Sequence, residues 1–377
     1  MSKIPLLFRG PVADGSGYSV NARNLLIQLH QTDKFNIQLE NYSGSTVASN
    51  LSKELVDSFN SMIKNKIDKD KAVLLQVSIA SQFLQDCKWN VGYSTFETDR
   101  IPFSWVLPSN KMNAVCVPCR QNQKAFVDTG VTAPVYVVPH GISDDMRPGM
   151  YEPYSMFSDK KNFLFVGTPQ YRKGIDLAIQ AYLAAFGDSN DTRLICKIYL
   201  EKHSYSQELD AVKSMVNDCR KKTGKNLGEI VLIPEYVTEY QLRRLYASAE
   251  ALVFASRGEG WGFAGSEAAA QGVPVIATLW GGPADYLNED IAYSVPYNID
   301  LVKNMQFNAQ FMLAQMEGHK WAEPDLNGII KCMKEVYDNP NKAKAKGLAA
   351  AEHVRNNFTW ENSGRVLVDV IEGVVKQ

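Results

Sequence analysis

Two glutamates stand in a glycine-rich stretch of the chain, and their spacing indicates a ligand site. Glu259 and Glu267 lie eight positions apart, with Gly260, Gly262 and Gly265 between them. Glycine has no side chain, so it lets a ligand approach the backbone closely. A carboxylate on each side of such a turn can accept hydrogen bonds from the paired hydroxyls of a sugar or a ribose. The pattern therefore predicts a site for a hydroxyl-rich ligand.

The same stretch predicts a helix start. It follows a short apolar run, and helical periodicity resumes over residues 266–271. The first N–H groups of a helix have no partner within it, and its N-terminus carries a partial positive charge. We therefore predict that the amides of Phe263, Ala264 and Gly265 bind a phosphate or a sugar oxygen.

This stretch resembles the E-x7-E signature of family 4 retaining glycosyltransferases, which adopt the GT-B fold of two facing Rossmann-like domains. The resemblance implies that Glu259 meets the transferred sugar and that Glu267 holds the ribose of the nucleotide. An alternative for Glu267 is a carboxylate that complements the dipole at a helix N-terminus.

A second resemblance covers residues 163–177, which match the family's strand, turn and Lys-Gly helix start. It implies that Lys173 neutralises the donor diphosphate, where a fixed cation stabilises charge that develops on the leaving phosphate. The family often has an arginine directly after the glycine of this turn. Here Thr168 stands in that place, so Arg172 is the candidate for the missing charge. The alternative is that Arg172 and Lys173 form a solvated helix start.

The first half of the chain carries weaker matches. Gly15 and Gly17 resemble the family's glycine-rich loop, whose backbone faces the donor phosphates and the acceptor, although Val20 replaces the last glycine of a dinucleotide fingerprint. The family usually has a histidine after a first-domain strand. This chain has none in that region, and Glu97 is the candidate by position. The alternative for Glu97 is an ion pair with Arg100 or a surface acid.

Three further matches follow predicted strands. His140 replaces the usual asparagine of the family's Pro-Asn-Gly element, and we interpret it as mainly structural. Gly281 and Gly282 resemble the family's Gly-Gly turn, with Asp285 where an acid is common. The loop that contains Tyr236 corresponds to the segment with which the family recognises the nucleobase, largely through its backbone.

Two other patterns are interpreted as structural. Cys116 and Cys119 form a C-x-x-C, but the first cysteine lies in an apolar run and no second pair completes a zinc site. Asp68 and Asp70 have the D-x-D spacing that metal-dependent glycosyltransferases of another fold use, yet they end a charged helix. We therefore expect no metal and no cofactor. The co-substrate implied by the family is a nucleotide sugar, linked to UDP or GDP.

The elements that must position these residues alternate along the chain. Short apolar runs, typical of buried parallel strands, take turns with helical periodicity. The predicted strands are 4–8, 72–77, 91–95, 114–117 and 135–138, then 163–166, 194–200, 230–233, 251–254 and 273–277. The predicted helices are 51–67, 176–186, 239–249, 266–271 and 360–375, together with a helix that contains residues 20–29 and a helical pattern from 331 onward that is interrupted near 339–340. The pattern predicts an α/β protein with two parallel sheets, each binding ligands at its C-terminal strand ends.

Two prolines and a glycine at 148–153 interrupt this alternation and indicate a linker. We predict an N-terminal Rossmann-like, acceptor-side domain at 1–155 and a C-terminal Rossmann-like domain that binds the nucleotide sugar at 156–357. By the same resemblance, a final helix at 358–377 crosses back onto the N-terminal domain. The active site is expected in the cleft between the two domains.

The composition argues against several other classes of protein. The 377 residues have a formal net charge of -1, which disfavours a strongly basic nucleic-acid binder. No apolar run reaches the roughly 18 residues of a membrane span, and the apolar start ends at Arg9, before a signal peptide is formed. We expect a soluble, cytoplasmic protein. The amphipathic stretch 51–67 favours core packing and leaves peripheral membrane contact as an alternative.

These expectations combine into one hypothesis: a retaining, metal-independent glycosyltransferase that moves a sugar from a nucleotide sugar to a hydroxyl-bearing acceptor, such as a saccharide or a lipid-linked sugar. Three rival hypotheses stay open. They are a glycosyltransferase that acts on modified nucleobases of DNA, a catalytically idle nucleotide-sugar-binding protein, and a sugar-phosphate epimerase of similar fold. The hypothesis leaves the sugar, the acceptor and the oligomeric state open.

Overall fold

The computed structural model describes residues 3–42, 51–303 and 316–376. The chain forms two compact units. The first unit comprises residues 1–141 together with 358–377, and the second comprises residues 142–357. Each unit has its own apolar core, built mainly from the two faces of a parallel sheet and the helices that cover them.

The first unit contains a six-stranded parallel sheet with the strand order β2-β1-β3-β4-β5-β6. Its inner strands are largely buried on both faces and mostly apolar because helices cover both sides, and Leu6, Leu7 and Phe8 in β1 are fully buried. The elements, in chain order, are β1 (Ile4–Gly10), α1 (Gly17–Gln31), β2 (Phe35–Asn41), α2 (Lys53–Lys64), β3 (Val73–Val77), β4 (Trp89–Tyr93), α3 (Val106–Asn110), β5 (Ala114–Val117), α4 (Arg120–Thr129) and β6 (Val135–Val137).

The second unit contains another six-stranded parallel sheet, with the order β12-β11-β10-β7-β8-β9, and an antiparallel pair formed by β13 and β14. The strands are β7 (Lys161–Gly167), β8 (Thr192–Ile198), β9 (Glu229–Ile233), β10 (Ala251–Phe254), β11 (Val275–Ala277), β12 (Tyr293–Ser294), β13 (Tyr297–Leu301) and β14 (Lys320–Pro324). The helices are α5 (Ile175–Phe186), α6 (Tyr205–Thr223), α7 (Glu239–Ala247), α8 (Phe263–Ala270), α9 (Pro283–Tyr286), α10 (Leu326–Asp338) and α11 (Pro340–Asn357).

The last helix, α12 (Trp360–Val375), belongs to the first unit. Its apolar stripe enters the same core as α1, with Leu367 and Ile371 fully buried. Gly141 permits the close approach of the chain at this point, since a Cβ there would stand 2.2 Å from the backbone N of Trp360. Helical spacing of apolar residues, capped by Thr359, explains both the helix and the face it buries.

The second unit begins at Ile142, earlier than the boundary at 155/156 that the proline pattern suggested. The reason is a set of tertiary contacts that the pattern does not contain. The hydroxyl of Tyr151 donates to Asp145 over 2.8 Å, and Arg243 contacts both residues. The backbone N–H of Tyr154 donates to Ser248 Oγ over 2.8 Å. The segment that resembles a linker is therefore attached to the second unit.

The α/β architecture with two parallel sheets agrees with the sequence-based prediction, but some elements were not predicted. The edge strand β2, the helices α4 and α6, and the antiparallel pair β13–β14 are among them. Helix α8 begins at Phe263, three residues before the predicted start. Among the helices of the described ranges, none has the length and apolar character needed to cross a lipid bilayer.

Candidate active site

The strongest sequence candidates lie at the C-terminal ends of β10 and β7, which are neighbours in the second sheet. Parallel strands end at the same edge, so the loops that follow them meet there. The loop after β7 carries Thr168, Arg172 and Lys173, and the loop after β10 carries Glu259. The structure therefore brings together residues that lie more than eighty positions apart in the chain.

Glu259 is buried and bound by two cations. The Nζ of Lys173 lies 2.7 Å and 2.8 Å from its two carboxylate oxygens, and Arg172 Nη1 lies 3.4 Å from one of them. Burial by itself would raise the pKa of this carboxyl, but the charges of Lys173 and Arg172 outweigh that effect and lower it. Glu259 is therefore ionised at neutral pH, and the cluster carries one more positive than negative charge.

Backbone contacts hold the two loops in this arrangement. Arg172 Nη1 donates to Gly258 O over 2.6 Å, while the carbonyl of Arg172 accepts from the Arg257 amide at 2.7 Å and from Ser256 Oγ at 3.0 Å. Gly174 makes the close approach possible, because its φ is +73° and a Cβ there would stand 2.0 Å from the carbonyl oxygen of Ala255. A glycine at this position is thus a geometric requirement of the site.

Arg257 is a key structural residue that the sequence reasoning did not single out. It is fully buried and contacts Asp176 and Glu323 in bidentate fashion, with N–O distances of 2.8–3.0 Å. Its guanidinium also lies 3.4 Å from the ring centroid of Tyr171, the residue before Arg172. Arg257 therefore ties the loop of Glu259 to α5, β14 and the loop of Lys173. Its position inside the Ser-Arg-Gly-Glu run was the only signal in the sequence.

Helix α8 starts beside this cluster at Gly262, which is its N-cap with a φ of +90°. Phe263 and Ala264 follow in its first turn and are partly exposed. The amide of Gly265 donates to Gly262 O over 3.0 Å within the helix, so its role in ligand binding stays a prediction. Gly265 also serves packing, since a Cβ there would stand 2.5 Å from the hydroxyl oxygen of Tyr286.

Glu267 lies in the second turn of α8, beyond the reach of a simple N-terminal dipole interaction. The buried Tyr246 donates its hydroxyl to Glu267 Oε2 over 3.0 Å. Desolvation raises the pKa of Glu267 to about 7, although this hydrogen bond acts in the opposite direction. Tyr246 is thus the partner of Glu267, and no sequence pattern pointed to it.

Thr168 and Tyr236, two further residues assigned to the donor side by the resemblance, follow strands β7 and β9 of the same sheet. Thr168 directly follows β7, and its Oγ1 is enclosed without a hydrogen-bond partner in the described part of the chain. Tyr236 lies in the loop between β9 and α7 and is 74% exposed. Since β9 is the edge strand, Tyr236 stands two strands away from Thr168 along the sheet.

The remaining candidates belong to the first unit. Gly15 precedes Ser16, the N-cap of α1, and Gly17 is the first residue of that helix; both glycines are exposed. The next residue, Tyr18, donates to the carbonyl of Thr95 over 3.2 Å and so connects this turn to the loop of Glu97. Within the first unit, the structure therefore places the glycine-rich turn and the loop of Glu97 side by side.

The loop of Glu97 is anchored by Asn122, which was not predicted. The buried amide of Asn122 accepts from the Phe96 N–H at 2.9 Å and donates to the Phe96 carbonyl over 2.7 Å. Arg100 pairs with Asp99 at 3.1 Å. Glu97 itself is partly buried and contributes an unfavourable charge near the Tyr18 hydroxyl, whose pKa is raised mainly by burial.

The residues interpreted as structural are buried or occupied. His140 is 5% exposed, lies between the rings of Tyr93 and Trp360, and has its pKa lowered by burial to about 3, so it is neutral. Burial raises the pKa of Cys116 to about 12, which makes it a poor nucleophile. Asp68 caps a short helical turn and pairs with Lys71. In residues 3–42, 51–303 and 316–376, no group of three or more metal-ligating side chains is present.

The glycine turn after β11 supports the loop of Glu259. The Gly282 amide donates to Glu259 O over 2.9 Å, and a Cβ on Gly281 would stand 2.5 Å from that oxygen. Asp285 lies in the short helix α9 that follows. The resemblance placed these residues at the site, and the contacts show that the turn positions the backbone of Glu259.

Comparison with known proteins gives a family and a fold. The model of a family described as "Family 4 Glycosyltransferase in conflict systems" matches residues 120–367, well over half of the chain. No curated protein sequence matches the chain.

Solved structures of similar fold cover the whole chain. Sucrose-phosphate synthase from Thermosynechococcus elongatus has a TM-score of 0.68 at 14% identity, with 99% of both chains covered. A UDP-forming trehalose-phosphate synthase from Burkholderia xenovorans, solved with glucose-6-phosphate, has a TM-score of 0.67 at 10% identity and covers 98% of this chain and 99% of its own. Anabaena HepE, solved with UDP and glucose, has a TM-score of 0.62 at 14% identity, with 98% and 100% covered. These similarities identify the GT-B fold.

Proposed function

This chain belongs to the family 4 glycosyltransferases of conflict systems, and from that premise we propose that it uses a UDP- or GDP-linked sugar as donor. We further propose that the transfer retains the anomeric configuration, needs no metal ion, and has a saccharide or a related hydroxyl compound as acceptor. Membership of this family makes the protein a glycosyltransferase. What we propose is its donor, the stereochemistry of the transfer and its acceptor. A cytoplasmic location stays a prediction from the sequence.

The observation that carries the proposal is the cluster of Lys173, Arg172 and Glu259 at the ends of β7 and β10. Two cations face one carboxylate at 2.7–3.4 Å, so the cluster has an excess positive charge at a largely buried position. A diphosphate that arrives there would be stabilised by Lys173 and by the N-terminus of α8. These fixed charges provide, from the chain itself, the stabilisation that a metal ion would otherwise supply to a leaving diphosphate.

The two glutamates of the motif bind different parts of the donor. Glu267, whose pKa of about 7 allows an ionised form at neutral pH, accepts hydrogen bonds from the ribose hydroxyls. Glu259, already ionised, orients hydroxyls of the transferred sugar. The structures of HepE with UDP and glucose and of a trehalose-phosphate synthase with glucose-6-phosphate support a nucleotide sugar and a sugar acceptor as the chemical classes.

The transfer step then needs no nucleophile from the enzyme, because every bond, proton and electron pair is accounted for by the donor and the acceptor. The bond between the anomeric carbon and the phosphate oxygen breaks, and the acceptor hydroxyl oxygen bonds to the same face of that carbon. The acceptor proton moves to an oxygen of the departing diphosphate, and the electron pair of the broken bond stays on that diphosphate. In this step Lys173 and Arg172 stabilise the negative charge that develops on the leaving group.

The test is release of free nucleotide from UDP-, GDP-, ADP- and CMP-sugars, measured with and without EDTA. We expect slow hydrolysis of one donor that EDTA leaves unchanged and that Lys173→Met lowers by about two to three orders of magnitude. Lys225→Met, which removes a partly exposed lysine of the same unit that pairs with Asp188, is the matched control. Loss of activity in EDTA would contradict metal independence, and conversion of the donor to an isomer without nucleotide release would identify an epimerase.

The donor identified in this way is then used to search for the acceptor. We expect transfer to a saccharide or another small hydroxyl compound in a screen with radiolabelled donor. Transfer to duplex DNA that carries hydroxymethylated bases would replace this acceptor class with modified nucleobases. Tight nucleotide binding without turnover on any acceptor would indicate an idle binding protein.

A further inference from the structure

Strand β8 ends in a buried lysine that the sequence analysis did not consider. Lys197 is 1% exposed and is the penultimate residue of the strand. Its Nζ donates to Ile198 O over 2.9 Å and lies 4.0 Å from the ring centroid of Tyr199. Burial lowers the pKa of Lys197 to about 8, and the charge of Glu235 opposes this shift. Within the described residues, the hydrogen bond of this ammonium goes to a carbonyl oxygen, and Glu235 acts on it through its charge alone.

Burying an ammonium without a carboxylate partner carries a free-energy penalty, so the other contacts of Lys197 are informative. The contact that distinguishes Lys197 is the one with the ring of Tyr199, because a cation over an aromatic face is attracted by the ring and fixes its orientation. Lys197 covers one side of the ring, while Tyr199 is 38% exposed. Just beyond the end of β8, Tyr199 is thus a partly exposed aromatic surface with the Lys197 ammonium over its ring.

This aromatic surface lies near the predicted donor residues. The pKa of the Tyr199 hydroxyl is raised mainly by burial, and the charges of Glu267 and Tyr236 contribute in the same direction. Tyr199 is therefore within electrostatic range of both the carboxylate predicted for the ribose and the tyrosine of the predicted base loop. Both neighbours belong to the second unit, as do Lys197 and Tyr199.

The order of the strands assigns a part of the donor to each strand end. From β10 through β7 and β8 to β9, the edge presents Glu259, then Lys173, then Tyr199, then Tyr236. A nucleotide sugar laid along this edge with its sugar at Glu259 and its diphosphate at Lys173 has its base over β8 and β9. We propose that Tyr199 is the residue on which the nucleobase stacks and that Lys197 is the positioning residue that holds its ring. This inference rests on the proposed nucleotide-sugar donor.

Stacking uses the π-face that every base has, so its loss weakens binding of all nucleotides by a similar factor. In titration calorimetry with UDP and GDP, we expect Tyr199→Ala to weaken each by roughly 5–150-fold, the range for loss of one base–aromatic stack. Tyr199→Phe keeps the ring and should bind within about twofold of the wild type, since the hydroxyl is not part of the stack. Tyr297→Ala, which removes a tyrosine of equal exposure in β13, is the control and should change neither affinity.

A base-free probe separates stacking from general damage to the site. Pyrophosphate should bind wild type and Tyr199→Ala equally, because it has no base. Lys197→Met should weaken UDP and GDP less than Tyr199→Ala does, and Lys197→Arg should restore part of the loss. In the Tyr199→Ala background, Lys197→Met should have no further effect on UDP affinity, because a positioning residue acts only through its target.

The outcomes distinguish this inference from the proposed function. If wild type binds and turns over a nucleotide sugar while Tyr199→Ala retains its affinity for UDP and GDP, the stacking role is wrong and the proposed function stands. Equal weakening of UDP and pyrophosphate would also overturn it. If wild type binds none of the nucleotides, the proposed function and this inference fail together. Should Lys197→Met not fold, the comparison of Tyr199→Ala with Tyr199→Phe decides.

Discussion

The ammonium of Lys173 lies 2.7 Å and 2.8 Å from the two carboxylate oxygens of Glu259. The cation expected for the diphosphate and the carboxylate expected for the sugar thus neutralise each other before the donor arrives. A diphosphate must compete with Glu259 for Lys173, and the sugar hydroxyls must satisfy Glu259 as that bond loosens. Five testable predictions concern this pair and its surroundings.

Lys173→Met should lower kcat for donor turnover by about two to three orders of magnitude, the usual effect of removing one group that stabilises a developing negative charge. It also leaves Glu259 with Arg172 as its nearest cation, at 3.4 Å. The pKa of Glu259 should therefore rise, and activity should be lost at a higher pH than in wild type as the medium is acidified. Steady-state kinetics between pH 5 and 9 test both effects. An unchanged kcat would remove Lys173 from the mechanism.

Glu259→Gln should have opposite effects on the binding of the free nucleotide and on the turnover of the intact sugar donor. The amide keeps the shape of the side chain but no longer holds Lys173 by charge, so free UDP or GDP should bind more tightly than to wild type. Turnover of the intact donor should fall by roughly 100-fold or more, because the transferred sugar loses a charge-assisted hydrogen bond. Calorimetry with the nucleotide and kinetics with the donor provide the two readouts. Weaker binding of the free nucleotide would show that Glu259 does not compete for Lys173.

Glu267 should make nucleotide affinity depend on pH near neutrality. Its pKa is raised to about 7 by desolvation, and the ionised form accepts both ribose hydroxyls, so affinity should rise as pH increases through 7. Glu267→Gln should bind weakly at every pH, with a flat profile. Tyr246→Phe removes the hydrogen bond that lowers the pKa of Glu267, so its midpoint should lie above that of wild type. Midpoints that coincide would contradict the role of Tyr246.

The carboxyl group of Glu267 should also make the stability of the folded protein depend on pH. Because the pKa of Glu267 in the folded state is above its ordinary value near 4.5, the folded state binds a proton between pH 4.5 and 7 that the unfolded state releases. The contribution of Glu267 to stability is therefore present at low pH and is lost as pH rises through 7. Thermal unfolding should show that Glu267→Gln is more stable than wild type at pH 8 and differs little from it at pH 5.

Gly174→Ala should disrupt the site by displacing the loop of Lys173. A Cβ at this position would stand 2.0 Å from the carbonyl oxygen of Ala255, in addition to the strain of a φ of +73°. Gly224→Ala is the matched control, because its φ is +68° and no atom lies within 4 Å of its Cβ. The control should lose about 1 kcal/mol of unfolding free energy from backbone strain alone. Gly174→Ala should lose clearly more and should also lower donor turnover, and equal losses would show that the loop can move aside.

The sequence by itself determined the fold class and the residues with the strongest chemical meaning. Buried parallel strands need apolar runs, and these runs alternate with helical periodicity, so the two sheets were predictable. The placement of Glu259 and Lys173 after such strands was also predictable, because parallel strands end at one edge. The signal was weaker for β2, an edge strand, and for α6, whose sequence is largely polar.

Only the tertiary structure decided which groups meet and in which charge state. Arg257 links the two site loops through residues that are distant in sequence, and Tyr246 reaches Glu267 from another helix. The use of the Gly265 amide within α8 follows from where the helix begins, which the cap at Gly262 sets. The pKa values of Glu259 and Glu267 move in opposite directions although both residues are glutamates of one motif. The physical reason is that desolvation and nearby charge are properties of three-dimensional surroundings, which residue types and spacing do not contain.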